Sequence, residues 1–202
     1  MNIEDAFGVP IGVHELTTLD CESAIKHVEG LTLEELPDDA TYGAYTETVQ
    51  LLEDNFFKEL KAEVREATLS YSHGIGHRVE DINITTSWAN ITEDNKSIAK
   101  HVHANSYTSG VIYLNQGSDI NFHNVINMKD MFTLTPLIEF DANNRYTWES
   151  IAVAPQPKML IVFPSGLHHS VSNSPTRRHS IAYNTMPLGP VGGGFSKIIT
   201  RT

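Results

Sequence analysis

The strongest structural signal in the chain is the segment HVHANSYTSGVIYLN, residues 101–115. His101 and His103 are two residues apart, so on an extended strand both imidazoles lie on the same face. Two imidazoles on one face can occupy neighbouring positions around a metal ion. Residues 108–115 are rich in β-branched and aromatic side chains, and the following Asn-Gln-Gly-Ser sequence is typical of a turn. The segment therefore predicts a histidine pair beside a strand.

A third candidate ligand lies in the segment FPSGLHHSV, residues 163–171. His169 follows an apolar run and a Pro-Ser-Gly turn, so it can begin a neighbouring strand. A third imidazole would complete a facial set of ligands and leave the other positions open to substrate and oxygen, as in the iron oxygenases. His168 points the opposite way on an extended chain, so we interpret it as a neighbour of the site rather than a ligand.

The residues alone leave a second interpretation open. A histidine on a strand is more often a surface or hydrogen-bonded residue than a metal ligand, and the pair brings the two interpretations to about equal weight. The remaining histidines are interpreted as structural residues: His14, His27, His73, His77, His123 and His179.

The chain from about residue 80 has the two-residue hydrophobic period of β-strands. Ile82, Ile84, Thr86 and Trp88 alternate and are predicted to share one face. Further strands are predicted at 108–115, 119–122, 137–140, 146–148, 159–163 and 180–184, with turn sequences between them. Seven or eight short strands of this kind are typical of an antiparallel sandwich or barrel.

The N-terminal part of the chain has a helical pattern. Residues 47–71 predict an amphipathic helix, because their apolar residues recur at steps of three or four. A shorter helix is predicted at 21–28, ending at Gly30. The acidic residues 34–39 predict a solvated loop, since Pro37 discourages a helix. We therefore expect a single domain, 1–202, in which a helical segment (1–79) supports a β core (80–190).

The composition excludes several classes of protein. The net charge of −11 argues against non-specific nucleic-acid binding, which needs clustered Lys and Arg. No apolar run reaches the roughly 18 residues of a membrane span, and the first residues lack the pattern of a secretory signal. Cys21 is the only cysteine, so no intramolecular disulfide can form, and a cytoplasmic location is expected. Oligomeric state and substrate choice have no signature in the sequence.

Four motifs in this order resemble the iron(II)/2-oxoglutarate dioxygenases. They are SWAN (87–90), the histidine-pair segment (101–115), FPSGLHHSV (163–171) and RHSIAYN (178–184). They are most similar to a small subgroup of such oxygenases that is found in phages and bacteria and is related to prolyl hydroxylases. If the chain is phage-encoded, the expected location is the host cytoplasm. The resemblance covers about half of the chain and implies a double-stranded β-helix, a distorted jelly roll.

The resemblance also assigns roles to individual residues. His101 and His169 would be the two iron-binding histidines. Arg178 would bind the distal carboxylate of 2-oxoglutarate, because a guanidinium offers a rigid fork matched to a carboxylate and stays charged when buried. Ser180 would add a hydrogen bond to that carboxylate, and Tyr113 would offer a phenol donor to the cosubstrate. No catalytic residue beyond the metal site is expected.

The third ligand position departs from the commonest pattern of this superfamily. That pattern is His-x-Asp or His-x-Glu, whose carboxylate completes the triad, whereas this chain has His103. The phage and bacterial subgroup resembles this chain in carrying His-x-His. Asn105, Asp119 or Asp141 is the alternative third ligand. A neutral imidazole leaves the iron site one unit more positive, which alters its redox poise and its affinity for anions.

Three functions follow as expectations. The first is an Fe(II)- and 2-oxoglutarate-dependent dioxygenase, a hydroxylase of a small molecule or of a peptide, including a prolyl peptide. The second is a three-histidine cupin-like metalloprotein that uses no 2-oxoglutarate and has no need of Arg178 and Tyr113. The third is a non-catalytic jelly-roll binding module that has lost the metal.

Overall fold

The computed structural model describes residues 8–35, 43–93, 95–124, 148–191 and 198–200, in which two antiparallel sheets face each other. The larger sheet has the order β1-β9-β6-β11-β4-β3-β2, with β12 paired to β11, and the smaller has the order β5-β10-β7-β8. The strands are β1 (Gly12–Glu15), β2 (Leu33–Glu35), β3 (Ala44–Thr46), β4 (Asp81–Thr92), β5 (Ile98–His101), β6 (Thr108–Tyr113), β7 (Ile120–His123), β8 (Ser150–Val153), β9 (Met159–Pro164), β10 (His169–Val171), β11 (Arg178–Val191) and β12 (Ile198–Thr200). This arrangement confirms the predicted jelly roll.

The first helix, α1 (Cys21–Glu29), forms where the sequence predicts it. The side chain of Asp20 caps its N-terminus by accepting hydrogen bonds from the backbone N–H groups of Glu22 and Ser23. Gly30 ends the helix, and its own N–H donates to carbonyl groups of the last turn.

The second helix is shorter than predicted. The expected helix at 47–71 is instead two 3₁₀ turns (Leu51–Glu53 and Asn55–Phe57) followed by α2 (Lys58–Gly74). The physical reason lies at Asp54, which is extended and whose carboxylate accepts the N–H of Phe56. That local bond competes with a continuous helix. Val49 and Phe56, two of the apolar residues in the predicted helical repeat, are exposed.

Two apolar clusters cover the two faces of the larger sheet. The outer cluster packs α1, α2 and the 3₁₀ turns against the sheet through residues such as Val28, Leu52 and Val64. The inner cluster lies between the sheets and is made of Val111, Tyr113, Ile120, Phe122, Ile161, Phe163 and Leu167. The helices therefore close the outer face, and the space between the sheets is left for a pocket.

A β-bulge in β4 corrects the predicted alternation of that strand. Asn184 pairs with Thr86 and Thr185 pairs with Ile84, so Thr85 is an extra residue without a counterpart on β11. An extra residue reverses the face on which the following side chains lie. Ile84 therefore packs in the outer cluster, while Thr86 and Trp88 line the pocket between the sheets. The sequence had predicted one shared face.

The other predicted strands have different outcomes. Those at 82–88, 108–115, 119–122, 159–163 and 180–184 are present as β4, β6, β7, β9 and β11. Residues 137–140 lie outside the described residues, as do 36–39 of the predicted acidic loop and two of the three residues at 146–148. Glu34 and Glu35 belong to β2, and the segment 1–79, expected to be helical, also contributes β1, β2 and β3 to the larger sheet.

Among the described residues, no helix is long and apolar enough to span a membrane.

Candidate active site

Three histidines from separate parts of the chain meet at one end of the smaller sheet. His101 is the last residue of β5, and His169 is the first residue of β10 and pairs with it in register. His103 lies beyond the end of β5, where its backbone N–H donates to the carbonyl of Ser165 at 3.0 Å. One nitrogen from each ring lies within 4.8 Å of the others. The structure thus brings together the three residues predicted as ligands, although His103 is not on the strand that the sequence argument assumed.

Backbone carbonyl groups fix the orientation of two of these rings. Nδ1 of His101 donates to the carbonyl of Ala99 at 2.8 Å, and Nδ1 of His169 donates to that of Leu167 at 2.9 Å. A carbonyl oxygen can only accept, so both rings carry their proton on Nδ1 and leave the Nε2 lone pair free.

The nitrogen spacing suits a facial ligand set. Nε2 of His103 is 3.2 Å from Nε2 of His169. Two ligands bound at about 2.1 Å and at a right angle stand about 3.0 Å apart. His103 and His169 therefore fit two adjacent positions of a facial set, and the ligand nitrogen of His101 lies within 4.8 Å of both.

Burial keeps two of the imidazoles neutral. It lowers the pKa of His103 to about 4, with a smaller contribution from His101. It also lowers the pKa of His169 to about 3, against a hydrogen bond to the Leu167 carbonyl that acts in the opposite direction. Only a neutral imidazole has the lone pair that binds a metal, so both side chains are ready to bind at neutral pH.

A pocket of about 470 Å³ between the two sheets includes all three histidines. Trp88 and Asn90 of β4 line it from the larger sheet, and Ile120 and Val171 line it from the smaller sheet. The Trp88 ring stacks on His103 with the ring centroids 5.9 Å apart, and its indole N–H donates to the side chain of Asn90. Trp88 is therefore part of the pocket wall.

Arg178 reaches the same pocket from β11 and is only 2% exposed. Its Nη2 donates to Ser180 Oγ at 3.3 Å, whereas Nε and Nη1 are buried without a hydrogen-bond partner. Burial lowers the pKa of the guanidinium, yet an arginine side chain stays protonated in proteins. A buried cation with two unpaired donors calls for an anion in this pocket.

Two further predicted residues lie beside Arg178. Ser180 and Tyr113 are paired in register on β11 and β6, so their side chains share a face. The guanidinium carbon of Arg178 is 5.1 Å from the centre of the Tyr113 ring. The Tyr113 hydroxyl is buried and has no hydrogen-bond partner. Burial raises its pKa to about 12, so the phenol keeps its proton and can donate it.

The residues named as alternatives lie elsewhere. His168 is exposed, and its backbone carbonyl accepts the N–H of His123. Asn105 is exposed in a turn with a positive φ of 56°. Asp119 is not among the side chains grouped with the three histidines, and Asp141 lies outside the described residues. Arg177 is 46% exposed and forms ion pairs with glutamates at the surface.

Two further polar residues have no role in the sequence-based prediction. The side chain of Asn184 accepts a hydrogen bond from Ser109 and donates one to Thr86, which lines the pocket, and the hydroxyl of Ser118 is buried without a partner. Asn184 ends the motif RHSIAYN, so its position two strand repeats beyond Ser180 was a usable signal. Ser118 lies in a turn sequence, where serine is common for reasons unrelated to a site.

A family model matches residues 86–184, about half of the chain, and its description is "Putative 2OG-Fe(II) oxygenase". The matched region contains all six predicted site residues. A search of curated protein sequences gave no match.

Solved structures share the fold over most of the chain. An oxidoreductase of the 2OG-Fe(II) oxygenase family from Burkholderia pseudomallei is 17% identical with a TM-score of 0.56, over 86% of this chain and 84% of that one. A prolyl-4-hydroxylase from Pseudomonas putida is 15% identical with a TM-score of 0.59, over 90% and 94%. HygX from Streptomyces hygroscopicus, with nickel and 2-oxoglutarate bound, is 10% identical with a TM-score of 0.57, over 89% and 83%. At these identities the likeness shows the fold alone.

Proposed function

Because the chain belongs to the 2OG-Fe(II) oxygenase superfamily, we propose that it is an Fe(II)- and 2-oxoglutarate-dependent dioxygenase whose iron is held by His101, His103 and His169. The donor set fits the metal, since these imidazole nitrogens converge within 4.8 Å and two of the rings are fixed by backbone carbonyls. Imidazole is a suitable ligand for iron, and three facial ligands leave room for a cosubstrate and oxygen.

Arg178 is the proposed binding residue for 2-oxoglutarate. Its unpaired Nε and Nη1 are two of the donors that a guanidinium offers to a carboxylate. Ser180 accepts from Nη2 and keeps its own hydroxyl proton for the same carboxylate. The phenol of Tyr113 is a third donor beside the guanidinium. One anion would satisfy every one of these groups.

The observation that carries the proposal is the burial of Arg178 in the same pocket as the three histidines. A metal-binding jelly roll without a cosubstrate has no use for a buried, half-unpaired guanidinium, which is costly to keep. The arrangement therefore favours a dioxygenase over a three-histidine cupin-like protein or a binding module.

When bound, the iron and 2-oxoglutarate would supply oxidative chemistry with molecular oxygen as the oxidant: 2-oxoglutarate loses CO2 and takes up one oxygen atom to give succinate, and the other oxygen atom enters a substrate C–H bond. The protein's own residues bind, orient and exclude water. Arg178 and Ser180 position the cosubstrate, and the buried Phe163, whose ring centroid is 4.7 Å from that of His169, keeps water from the metal side. The expected reaction is hydroxylation of a small molecule or of a peptide, including a prolyl peptide.

The test is an anaerobic titration of the purified protein with Fe(II) and then with 2-oxoglutarate. We expect one Fe(II) per chain, and then a visible metal-to-ligand absorption band that saturates with 2-oxoglutarate. Slow formation of succinate after oxygen is admitted would establish turnover. A protein that binds Fe(II) but not 2-oxoglutarate would support the cupin-like alternative, and one that binds neither would support the binding module.

A further inference from the structure

The pocket between the sheets has two ends that differ in chemistry. The first three residues on one face of β11, beginning at Arg178, line it. Their partners on β4, which line the same pocket, are Thr92, Asn90 and Trp88. The next pair in the series is Asn184 with Thr86, and Thr86 also lines the pocket. Six residues of β11 separate the Arg178 row from the Thr86 row, a distance of roughly 20 Å. A 2-oxoglutarate bound at Arg178 therefore leaves the Thr86 end for a substrate.

The metal ligands lie between these two ends. The ring of His103 stacks on Trp88, and the row of Trp88 is between those of Arg178 and Thr86. A substrate held at the Thr86 end would therefore face the metal from the side opposite to the cosubstrate.

The walls of the pocket offer almost no charge to a substrate. Among the described lining residues, Arg178 is the only one with a charged side chain, apart from the three histidines proposed to hold the metal. Arg178 is the proposed partner of 2-oxoglutarate. The carboxylate of Glu34 accepts the hydroxyl of the lining residue Tyr45, but Glu34 itself is exposed. A buried ammonium or carboxylate of a substrate would thus lack an oppositely charged partner, which makes its burial costly.

The hydroxyl of Thr86 is held in a fixed position. Its Oγ1 accepts from Nδ2 of Asn184 at 3.0 Å, and Oδ1 of Asn184 accepts from Ser109 Oγ at 2.8 Å. These two bonds fix which end of the Asn184 amide is the donor. A hydroxyl that accepts one hydrogen bond still has its own proton to donate. No group in the described part of the chain accepts the proton of Thr86, so this hydroxyl can donate to a bound molecule.

The other donors near this end are already used. The indole N–H of Trp88 donates to Oδ1 of Asn90 at 3.1 Å, and the hydroxyl of Tyr45 donates to Glu34. The remaining surface is apolar: it includes the Trp88 ring and Val49, which lines the pocket and is 52% exposed. A ligand site of this kind fixes orientation with a few polar groups and gains affinity from apolar contact.

We propose that Thr86 is a specificity-determining residue that donates a hydrogen bond to the substrate, and that the substrate group entering the pocket is an uncharged, mainly apolar amide. This inference rests on the proposed function and names its substrate class. An amide carbonyl is a neutral acceptor suited to the Thr86 hydroxyl, and its apolar neighbours can pack on Trp88. A free amino acid carries both an ammonium and a carboxylate, and the lining residues pair with neither.

The test compares four probes that share one side chain and differ in charge. They are N-acetylleucine N-methylamide (uncharged), leucine N-methylamide (cationic), N-acetylleucine (anionic) and leucine (zwitterionic). Each is titrated anaerobically into protein loaded with Fe(II) and 2-oxoglutarate, and the broadening of its proton NMR lines by the iron measures binding close to the metal. We expect the uncharged probe to bind and each charged probe to bind at least about 10-fold more weakly, because its charge is unpaired.

A longer probe distinguishes the two sources of such an amide. A pentapeptide with the same leucine at its centre and blocked ends should bind more tightly than the single residue if the substrate is a peptide. Equal affinity would indicate a small neutral amide. Both results agree with the inference, whereas a pentapeptide that displaces 2-oxoglutarate instead of binding beside it would contradict it.

Substitutions at Thr86 test the hydrogen bond. Thr86→Val keeps the shape and removes the hydroxyl, so it should weaken the uncharged probe about 3- to 10-fold. Thr86→Ser should restore most of the affinity. The matched control is Thr85→Val, which makes the same change in the adjacent residue, whose hydroxyl donates to the backbone carbonyl of Asn184. All three variants should keep the Fe(II) and 2-oxoglutarate affinities of the unmodified protein, which separates this effect from a general structural one.

The charge comparison uses the unmodified protein, so it remains decisive if Thr86→Val does not fold. A charged probe that binds as tightly as the uncharged one would overturn the inference, as would unchanged probe affinity in Thr86→Val. Failure of the uncharged probe to bind a protein that binds Fe(II) and 2-oxoglutarate would also overturn it and would leave the proposed function intact. Failure of the unmodified protein to bind Fe(II) or 2-oxoglutarate would instead overturn the proposed function.

Discussion

His103 and His169, 66 positions apart in the sequence, place their Nε2 atoms 3.2 Å from each other with their ring planes only 10° from parallel. His169 carries its proton on Nδ1, which donates to Leu167, so its Nε2 presents a lone pair toward Nε2 of His103. Burial lowers the pKa of both rings, so neither ring is favoured to become an imidazolium at neutral pH. When His103 carries its proton on Nδ1, both Nε2 lone pairs can bind one metal ion; when it carries the proton on Nε2, it donates a hydrogen bond to His169.

Replacing His169 with alanine should abolish stoichiometric Fe(II) binding. His169 is 4% exposed, and no described side chain other than His101 and His103 is grouped with it as a possible ligand. His168→Ala is the control, since this side chain is exposed and only its backbone carbonyl is used. Anaerobic Fe(II) titration measures both variants. If His168→Ala and His169→Ala lose Fe(II) binding equally, the assignment of His169 rather than His168 as the ligand is wrong.

At position 103, aspartate should be tolerated better than alanine. A carboxylate restores the commoner 2-His-1-carboxylate set and lowers the charge of the site by one unit, whereas alanine leaves two ligands. We expect the Fe(II) affinity of His103→Asp to lie clearly above that of His103→Ala, as measured by competition with a chelator under anaerobic conditions. Equal affinities would argue that His103 is not a direct ligand.

The strand positions and the histidine cluster were predicted from different kinds of sequence information. The periodicity of residues 80–184 predicted five of the described strands, because alternation reports a half-buried sheet directly. Two of the errors in local structure, at 47–71 and at 82–88, have local causes. Asp54 stops a helix by bonding to the N–H of Phe56, and Thr85 adds one residue to a strand. Neither effect changes the hydrophobic period enough to be visible in a single sequence.

The pocket could be predicted only in part. The spacing of His101, His103 and Arg178 matched a known order of motifs, so these residues could be named from the sequence. The hydrogen bond between Asn184 and Thr86 depends on pairing between β11 and β4, and on the bulge that turns Thr86 toward the pocket. Such a contact joins residues about a hundred positions apart, and no local pattern encodes it.

Loss of the guanidinium in Arg178→Ala should weaken 2-oxoglutarate binding by about 10- to 100-fold. Hydrogen bonds that involve charged groups contribute about 1.5 to 3 kcal/mol, and about 1.4 kcal/mol is a factor of ten. Arg178→Lys should recover only part of the affinity, because lysine keeps the charge but not the planar fork. Calorimetric titration of the iron-loaded protein with 2-oxoglutarate is the measurement.

The control for the Arg178 variants is a substitution of the adjacent residue, Arg177. Arg177 is paired with Glu29 and Glu93 at the surface, so Arg177→Ala should leave 2-oxoglutarate affinity unchanged. Iron binding should be nearly normal in all three arginine variants, since neither side chain is a metal ligand. Normal 2-oxoglutarate affinity in Arg178→Ala would place the carboxylate elsewhere in the pocket.

Gly117 provides a test of the cosubstrate site that removes no polar group. A Cβ added at this position would lie 2.9 Å from Cβ of Arg178 and 3.0 Å from its Cγ and Cδ. Gly117→Ala should therefore displace the side chain of Arg178, at a cost of about 1 kcal/mol or more in conformational free energy, and should weaken 2-oxoglutarate binding several-fold. Gly166→Ala is the matched control, since nothing lies within 4 Å of a Cβ at that position. Equal 2-oxoglutarate affinity in Gly117→Ala and Gly166→Ala would contradict the prediction, because it would mean that displacing the Arg178 side chain does not affect binding.

The stability of the metal-free protein should depend on pH through the same histidines that are proposed to bind iron. Burial, which is the largest cause for both, lowers the pKa of His103 to about 4 and that of His169 to about 3, from 6.5. Between pH 6.5 and about 4 the unfolded chain therefore binds protons that the folded protein does not, so the free energy of unfolding falls as the pH is lowered through this window. One group that titrates fully in this way contributes up to about 1.4 kcal/mol per pH unit. We expect His169→Gln to reduce the slope by nearly that amount in urea unfolding experiments between pH 5 and 6, a range chosen to lie above the usual carboxyl titrations. Equal slopes in the two proteins would show that His169 is not buried as a neutral ring.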